Sequence, residues 1–434
     1  MQMDFKTTVY LSVLGGIWVV YYMLRRRKHA KSIGVLAAAQ DAGMTEPASL
    51  HPLIDPAKCL GCGACVRACP EGDILGLVNG KAVLVEPTQC IGHGACQTAC
   101  PRDAISLVFG TETRGVDIPV VGPDFQTNVP GIFIAGELGG MGLIRNAIEQ
   151  GRQTIDSVRK FPGIGRDDIL DVIIVGGGPA GFSASLAALQ HKLRFVTIEQ
   201  ESFGGTVAHF PRGKVVMTSP AELPIVGKMT FTEVSKENLL SFWEGAARKV
   251  GLKIRYGERV EAITSDSMGF TVATTQNNYV SRTVLLAIGR RGTPRRLDVP
   301  GEDLSKVVYR LTDPEQYRNM QVLVVGGGDS ALEAAGSIAE QTGTVVTLSY
   351  RGAAFGRAKL ANRQRVDTAE KLGKLKVLLS STVEQITENK AILSHQGRSI
   401  TIENDAVVVC VGGILPTPFL ESVGIEIEKK YGTR

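Results

Sequence analysis

Residues 171–182 read DVIIVGGGPAGF, an apolar run that leads directly into three glycines and then into a helix-compatible stretch. In a strand, glycine turn and helix of this kind, Gly176 permits the tight turn, Gly178 lets a pyrophosphate approach the backbone, and Gly181 lets the helix pack closely on the strand. Glu199 ends the next apolar run, where an acidic residue binds ribose hydroxyls. This stretch therefore predicts an α/β fold with a Rossmann-like dinucleotide site.

A second copy of the pattern lies in the second half of the chain, where another apolar run is followed by Gly326, Gly328 and Ala331 at the three turn positions. The strand predicted after its helix ends in Arg351, with Arg357 nearby and no acidic residue at the strand end. An arginine at this point can pair with a 2′-phosphate, whereas an acid favours NAD, so the sequence favours NADP(H) over NAD(H). The alternative is that Arg351 is a solvated surface charge.

Four stretches of the chain resemble the pyridine-nucleotide flavoprotein reductases of the thioredoxin reductase type. They are residues 175–181, 286–289, 324–331 and 350–351, and the resemblance covers about residues 109–434. The resemblance implies that the first glycine motif and Glu199 bind FAD and that the second glycine motif binds NAD(P)H. The glycine motifs alone do not distinguish the two ligands.

One element of this family lies at an unexpected place in the chain. Residues 127–137 read TNVPGIFIAGE and resemble the family's closing segment, T-x-x-P-G-(I/V)-F-A-x-G-D, whose acid contacts the ribityl chain of FAD. Here the segment, with Gly136 and with Glu137 in place of the aspartate, precedes the first glycine motif. The simplest interpretation is a circular permutation of the FAD domain, which predicts that residues 425–428 lie beside residues 115–118.

Two cysteine runs precede this region. They read Cys59-x2-Cys62-x2-Cys65-x3-Cys69-Pro70 and Cys90-x2-His93-x2-Cys96-x3-Cys100-Pro101. This spacing is typical of bacterial two-cluster ferredoxins, in which the fourth cysteine of each run ligates the cluster of the other run. We call the two predicted ligand groups the first set, which is Cys59, Cys62, Cys65 and Cys100, and the second set, which is Cys69, Cys90, His93 and Cys96.

His93 stands where a further cluster cysteine would be expected. It ligates iron in a 4Fe-4S cluster, or it leaves a 3Fe-4S cluster with an open corner, or it donates a hydrogen bond to a cluster sulfur. Ligation is the favoured interpretation because imidazole is a suitable ligand for iron. Zinc sites and disulfide frameworks have other cysteine spacings.

The N-terminal part carries an uncharged run over residues 7–24, followed by five basic residues between positions 25 and 31. The run is at the lower limit of length for crossing a bilayer, and basic flanks stay on the cytoplasmic side. A cleaved signal peptide would carry its positive charges before the apolar run. The sequence therefore predicts a single-pass anchor in the cytoplasmic membrane, with the N-terminus outside and the catalytic domains in the cytoplasm.

These observations predict an α/β protein with two Rossmann-like domains for FAD and NAD(P), a small α+β ferredoxin-like domain and one N-terminal transmembrane helix. The chain of 434 residues is long enough for several domains. The predicted segments are 1–31 (anchor), 32–50 (linker), 51–108 (ferredoxin domain), 109–160 (displaced part of the FAD domain), 171–295 (FAD domain), 296–413 (NAD(P) domain) and 414–434 (return to the FAD domain).

No side-chain nucleophile is predicted. Residues 307–320 contain no cysteine, Thr206 is followed by Val207, and Cys410 lies in an apolar strand where a thiol is inert. Reduction through a protein dithiol is therefore disfavoured. His209 lies near the predicted flavin site and is a weak candidate for a proton donor.

The predicted function is that of a membrane-anchored flavin and iron–sulfur oxidoreductase, which passes electrons between NAD(P)H, FAD and two iron–sulfur clusters to a protein or quinone acceptor. One alternative is a ferredoxin–NADP⁺ reductase working in the opposite direction, and another is a non-catalytic electron-transfer subunit of a larger membrane complex. The expected partners are a membrane, a redox protein or quinone, and a second copy of the chain. The net charge of +5 is accounted for by the basic stretch after residue 24, so nothing indicates nucleic acid.

Overall fold

The chain divides into two compact units in a computed structural model. The first unit comprises Met1–Arg114, Ala354–Leu360 and Tyr431–Arg434, and the second comprises Gly115–Ala353 and Ala361–Lys430. The residues that the structure describes are 5–41, 45–47, 50–90, 92–112, 115–140, 142–166, 168–266, 268–356 and 358–432.

The first unit begins with a helix of 37 residues, Phe5–Asp41. Over the described residues, no helix is both long enough and apolar enough to cross a membrane. The predicted transmembrane helix over residues 7–24 is therefore wrong, and so is the predicted single-pass placement in the cytoplasmic membrane. The run has only 18 residues, the lower limit of length for crossing a bilayer, and Gly15, Gly16 and several hydroxyl-bearing side chains interrupt its apolar residues.

The C-terminal half of this helix packs against the ferredoxin-like part of the same unit. His29 Nδ1 lies 3.2 Å from the carbonyl oxygen of Leu77, and Lys31 pairs with Asp73. The stretch predicted as a linker over residues 32–50 is helical as far as Asp41, because its alanines favour a helix once tertiary contacts anchor it.

The rest of the first unit is built from two small antiparallel sheets and two short helices. His51–Ile54 pairs with Ile105–Val108, and Leu75–Val78 pairs with Lys81–Leu84. Each cysteine run is a loop that enters a short helix, Ala64–Ala68 in the first run and Ala95–Thr98 in the second. The core of the unit contains cysteines together with aliphatic residues, and its fully buried members are Cys59, Cys65, Leu75, Ala82, Cys96, Ala104 and Ile105.

The second unit contains a seven-stranded sheet at the first glycine motif. Its central strands are parallel and buried on both faces, which explains their continuous apolar sequence. The strands are, in spatial order, Ile254–Arg255, Phe195–Ile198, Leu170–Val175, Asn278–Leu286, Phe270–Thr274 and Val260–Ser265, and Ile132–Ile134 also pairs with Asn278–Leu286. The helices beside it are Ile144–Val158, Pro179–Gln190 and Lys236–Lys249.

The displaced segment belongs to this sheet. Ile132–Ile134 runs parallel to Asn278–Leu286, with Phe133 opposite Leu285. The strand near the end of the unit, Ile427–Lys430, is antiparallel to Val116–Pro119. This pairing confirms the expected contact between residues 425–428 and residues 115–118, and it agrees with a permuted FAD domain.

A second sheet carries the second glycine motif. Its five strands are all parallel and are, in spatial order, Val307–Val308, Ala406–Val409, Gln321–Val325, Val345–Tyr350 and Leu375–Leu379. A three-stranded antiparallel sheet follows, formed by Ser381–Ile386, Lys390–His395 and Arg398–Glu403. The remaining helices are Asp329–Ala339, Leu360–Lys371 and Thr417–Ser422. The predicted mixed α/β nucleotide-binding fold is thus confirmed, apart from the transmembrane helix.

Short elements connect the sheets. Two hairpins pair Val215–Met217 with Glu233–Ser235 and Ala221–Leu223 with Gly227–Met229. A two-stranded ribbon, Thr293–Pro294 with Gly413–Ile414, joins the two nucleotide-binding lobes of the second unit. The 3₁₀ turns are Pro87–Gln89, Gly136–Gly139, Gly205–His209 and Pro314–Tyr317.

Asp171 stabilises the strand that leads into the first glycine motif, and its contribution to the stability of the fold should depend on pH. Its side chain accepts hydrogen bonds from the backbone of Gly165 at 2.7 Å and of Arg194 at 2.8 Å, and it pairs with the Arg194 guanidinium at 3.1 Å. Burial works to raise the pKa of Asp171, but the bonds from Arg194 and Gly165 outweigh it and the pKa lies below its usual value. The ionised carboxylate is therefore the form that the fold stabilises.

We expect Asp171→Asn to lower the free energy of unfolding at pH 7 by about 2–3 kcal/mol, because charge-assisted hydrogen bonds are lost at a buried site. Because the folded pKa is depressed, this stabilisation is present above the unfolded pKa of about 3.9 and is lost as the pH falls through the lower, folded value. Thermal unfolding should show a constant difference from pH 8 to pH 5 that shrinks only below about pH 4. Asp156→Asn, which removes the more exposed pair with Arg152, is the control and should cost less than about 1 kcal/mol. An equal loss in both variants would contradict the assignment.

Candidate functional site

The first glycine motif forms a close turn between the strand Leu170–Val175 and the helix Pro179–Gln190. Gly176 has φ +111°, a conformation that suits glycine. A Cβ at Gly181 would lie only 1.8 Å from the carbonyl oxygen of Gly176. The helix can therefore pack this closely on the turn only because Gly181 has no side chain. At Gly178 the nearest atom to such a Cβ is 3.7 Å away, and the helix N-terminus is open to an incoming anion.

A cavity of about 950 Å³ opens over this turn, within the second unit. Its wall contains the predicted residues Gly136, Glu137, Gly176, Gly178 and Glu199. Gly181 does not line the cavity and acts in packing. The cavity is also lined by residues to which the sequence assigned no role in a site, at positions 258–260, 287–289, 291–294, 308–310, 312, 414–416 and 418–419. Its size, the open helix N-terminus and the two carboxylates fit an extended dinucleotide such as FAD.

Glu199 is held in place by the glycine turn itself. The side chain is 7% exposed, and its carboxylate accepts hydrogen bonds from the backbone N–H of Gly177 at 2.6 Å and of Glu201 at 2.9 Å. These bonds orient a carboxylate at the cavity wall, where ribose hydroxyls can donate to it.

Glu137 belongs to the displaced segment, and it lines the same cavity as Glu199. Burial raises the pKa of Glu137, and the nearby Arg290 opposes this effect. Arg290 also donates to the carbonyl oxygen of Asp117 at 2.9 Å, which fixes the guanidinium beside the displaced segment. Glu137 can therefore accept hydrogen bonds from a ligand hydroxyl that reaches into this end of the cavity.

A polar cluster at the cavity wall was not predicted as a group. His209 Nε2 lies 2.8 Å from a carboxylate oxygen of Glu201, Arg310 lies 3.2 Å from the same carboxylate, and Arg310 also contacts His209 Nδ1. A guanidinium only donates, so Nδ1 accepts and the ring proton is at Nε2. Burial, with a smaller effect of nearby cations, lowers the pKa of His209 to about 4.

His209 is therefore a neutral, fixed member of the wall rather than a ready proton donor at neutral pH. No pattern in the sequence predicts this cluster, because 101 positions separate His209 from Arg310.

The second glycine motif has the same local arrangement. Gly328 immediately precedes the helix Asp329–Ala339, and a Cβ there would meet nothing within 4 Å. Ala331 is fully buried beneath the turn, and the Tyr350 ring packs against Gly327. Arg351 follows at the strand end and is exposed. Gly326, Gly328, Ala331 and Arg351 are thus placed around one turn, whereas Arg357 lies outside the described residues.

The first set of cysteines surrounds one small cavity in the first unit. Cys59, Cys62, Cys65 and Cys100 all line it, which agrees with the expected crossing of ligands between the two runs. Backbone N–H groups point at the sulfurs, from Gly61 and Ala82 to Cys59 Sγ at 3.4 Å and from Ala104 to Cys100 Sγ at 3.3 Å. Such N–H···S bonds stabilise thiolate ligands of iron–sulfur clusters.

The second set is also gathered at one place. Burial raises the pKa of the Cys96 thiol, and the neighbouring Cys90 and Cys69 raise it further, so these three residues are close enough to act on each other. His93 Nε2 is buried and has no hydrogen-bond partner among the described residues, and burial lowers the pKa of the ring. A buried neutral nitrogen without a partner is what an iron ligand would present.

In the described ranges no group of three or more His, Cys, Asp or Glu side chains is tight enough to hold a single metal ion. A cubane cluster spreads its ligands around its corners, so the looser spacing of the two sets suits a cluster rather than one ion.

Comparisons with known proteins agree with this geometry. The sequence profile of the family described as pyridine nucleotide-disulphide oxidoreductase matches residues 173–433, and a 4Fe-4S dicluster domain profile matches residues 51–101. Bacilliredoxin reductase Bdr of Bacillus subtilis is 29% identical over 266 residues, 60% of this chain and 82% of the relative. A ferredoxin–NADP reductase of Ignicoccus hospitalis is 28% identical over 268 residues, 60% of this chain and 83% of the relative. The solved structure of bacillithiol disulfide reductase Bdr from Bacillus cereus matches with a TM-score of 0.53 and 26% identity, over 59% of this chain and 82% of that one.

Proposed function

Because this chain belongs to the pyridine nucleotide-disulphide oxidoreductases and carries a 4Fe-4S dicluster domain, we propose that it exchanges electrons between NADP(H) and a one-electron carrier protein. The chain is an FAD-dependent oxidoreductase of this family. The preference for NADP(H), the ligand of each cluster and the identity of the carrier are the parts that we propose.

The observation that carries the proposal is where the thiols lie. The chain has eight cysteines, and seven of them are in the two cluster runs. The eighth, Cys410, is partly buried just after the strand Ala406–Val409, and burial raises the pKa of its thiol to about 12. A reactive protein dithiol needs low-pKa, accessible sulfurs, so the cysteine sets of the first unit are the supported route for electrons.

Within the second unit, each predicted residue has a task in holding a ligand. The open backbone at Gly178 binds the pyrophosphate, Glu199 orients the ribose, and Glu137 accepts from the ribityl chain. FAD, when bound, supplies a group that takes two electrons as a hydride and can release them singly.

At the second glycine motif, the backbone at Gly328 binds the dinucleotide pyrophosphate, and Arg351 pairs with a 2′-phosphate. The exposed position of Arg351 at the strand end supports this role. In the first unit, the first and second sets hold one iron–sulfur cluster each. Clusters of this kind carry one electron at a time, which matches a partner that is itself a one-electron carrier.

The test is anaerobic mixing of the loaded protein with NADPH or NADH, followed by flavin bleaching and by the spectroscopic signal of the reduced clusters. We expect NADPH to be the better reductant, and Arg351→Glu to raise the KM for NADPH by at least about tenfold, which is about 1.4 kcal/mol. Its KM for NADH should change little. Arg398→Glu, an exposed charge reversal on the three-stranded sheet, is the matched control.

Failure of both nucleotides to bleach the flavin would contradict the proposed function as a whole. A preference for NADH that survives Arg351→Glu would contradict the NADP(H) assignment alone. Bleaching without cluster reduction would contradict the proposed route.

A second candidate is the same reaction in reverse, from a reduced carrier to NADP⁺. It is favoured by the similarity to the ferredoxin–NADP reductase of Ignicoccus hospitalis. Formation of NADPH from NADP⁺ with a chemically reduced ferredoxin, compared with the forward rate under the same conditions, distinguishes the two directions.

A further inference from the structure

We propose that the surface around the first set of cysteines docks an acidic one-electron carrier protein. We call this surface the first-cluster face and define it as Lys58, Leu60, Cys62, Arg67 and Arg102. The inference rests on the proposed function, and it names which of the two cluster sites meets the partner and what charge the partner carries.

The first argument is exposure. All eight cysteines are within the described residues, and Cys62 alone among them is exposed. Leu60, two positions away, is 67% exposed, and both residues line the cavity of the first set. A large apolar side chain in solvent beside an exposed ligand provides a contact point for a protein partner.

The second set does not reach the surface in the same way. His93 Nε2 is buried, and Leu50, which is 8% exposed, has its carbonyl oxygen 4.0 Å from Cys90 Sγ. A Cβ at Gly92 would lie 2.4 Å from that same carbonyl oxygen, so the chain at Leu50 lies tightly over the second run. An electron carrier can therefore approach the first set more closely than the second.

The second argument is charge. Lys58, Arg67 and Arg102 are all exposed, and between described residues no ion pair involves any of them. Arg67 donates to the carbonyl oxygen of Cys62 at 3.2 Å, which holds a guanidinium beside the exposed ligand. Asp103, next to Arg102, and Asp55, whose carbonyl oxygen accepts from the Cys59 N–H, are acids near this rim. The three exposed cations outnumber them, so positive charge prevails on the face.

A further cation reinforces this sign. Lys81 donates to the carbonyl oxygen of Cys59 at 2.7 Å. A cation is thus hydrogen-bonded to the backbone of two of the four cysteines in the first set, Cys59 and Cys62. Two other acids of the unit lie away from the face: Glu71 acts electrostatically on Cys90 and His93, and Asp73 pairs with Lys31. The charge on the face is therefore unbalanced and complements a carboxylate-rich surface.

The charge of the face suits a transient partner. Electron-transfer complexes are small, often below about 1,200 Å² of total buried area, and charge complementarity speeds their association more than it tightens it. In each encounter one electron passes between the first-set cluster and the carrier. One partner is oxidised by one electron, the other is reduced by one, and no proton moves.

The experiment uses the full chain loaded with FAD and clusters, with an acidic [2Fe–2S] ferredoxin as the probe and a basic cytochrome c as the mismatched probe. Stopped-flow mixing of the reduced protein with each probe gives second-order rate constants at low and high salt, and calorimetry gives the affinity. We expect Lys58→Glu/Arg102→Glu to slow ferredoxin reduction by at least about tenfold at low salt and to leave little difference at high salt. The same variant should speed reduction of cytochrome c.

The matched control is Lys228→Glu/Lys253→Glu, which makes the same change in net charge at exposed positions of the second unit. It should change the rate by less than about twofold if local charge decides. Leu60→Ala should weaken binding without changing the salt dependence. Iron content and flavin bleaching are measured for every variant, and the single variant Lys58→Glu, outside the cavity lining, replaces the double variant if loading of the latter falls.

Equal slowing by both double variants would overturn the inference, because net charge alone would then explain the effect. An unchanged rate in Lys58→Glu/Arg102→Glu with full loading would also overturn it. If NADPH fails to reduce the clusters, the proposed function fails, whereas calorimetry with the ferredoxin still decides whether the first-cluster face binds.

Discussion

Gly178→Ala is expected to weaken FAD binding by about ten- to a hundredfold, or about 1.4–2.7 kcal/mol, while the protein without flavin stays folded. A methyl group at this position meets no atom of the chain closer than 3.7 Å, so the fold accepts it. It would instead occupy the space through which a pyrophosphate reaches the N-terminus of the helix Pro179–Gln190. Flavin content after purification and the Kd for added FAD measure the effect.

Gly181→Ala is expected to lower the stability of the fold, whereas Gly178→Ala is expected to weaken FAD binding. Its Cβ would lie 1.8 Å from the carbonyl oxygen of Gly176, so this substitution must displace the helix or the strand and should lower the melting temperature of the flavin-free protein. Gly245→Ala, in the helix Lys236–Lys249 with nothing within 4 Å of the new methyl group, is the control and should stabilise by about 0.5–1 kcal/mol. If Gly178→Ala bound FAD normally, the pyrophosphate could not lie at this turn.

Removal of single cysteines should show which ligands are shared between the runs. We expect Cys100→Ala to lose the cluster of the first set and to keep that of the second, because Cys100 lines the same cavity as Cys59, Cys62 and Cys65. Cys69→Ala should have the reverse effect, because Cys69 acts on Cys90 and Cys96. In each variant about half of the iron should be lost or the affected cluster converted to a three-iron form.

Iron analysis and low-temperature paramagnetic resonance distinguish these outcomes, since only the proposed second set contains a histidine. Cys410→Ala is the control, because this partly buried thiol belongs to the second unit and to neither cysteine run. It should leave both signals intact. If Cys100→Ala removed the cluster of its own run, the ligands would not cross.

The local chemistry of the sites could be predicted because it depends on residues close together in sequence. The turn at Gly176, Gly178 and Gly181 needs glycine for steric reasons that any strand–turn–helix shares. The cysteine spacing likewise fixes the order of the ligands within each run. The pairing of Ile427–Lys430 with Val116–Pro119 was predictable only through the resemblance to a family with a different order of segments.

Two features could not be predicted, for different reasons. The cluster of Glu201, His209 and Arg310 depends on long-range packing, which leaves no periodicity in the sequence. The N-terminal run was predicted to cross a bilayer because it is uncharged, although it has only 18 residues and contains Gly15, Gly16 and several hydroxyl groups. Absence of charge at the minimum length is therefore a weak criterion for a membrane span.

The antiparallel pair of Val116–Pro119 and Ile427–Lys430 has a consequence for how such a protein can be assembled from genes. Val116 lies opposite Lys430 in this pair of strands. The first and last segments of the second unit are therefore neighbours in one two-stranded sheet. A fold whose ends meet can be opened elsewhere and closed there with a short peptide, with little change in its contacts. The same pairing lets a cluster-bearing module be joined to one end by a single in-frame fusion. Joining Lys430 to Val116 and opening the chain before the first glycine motif would give the segment order that the resemblance to the thioredoxin reductase type implies.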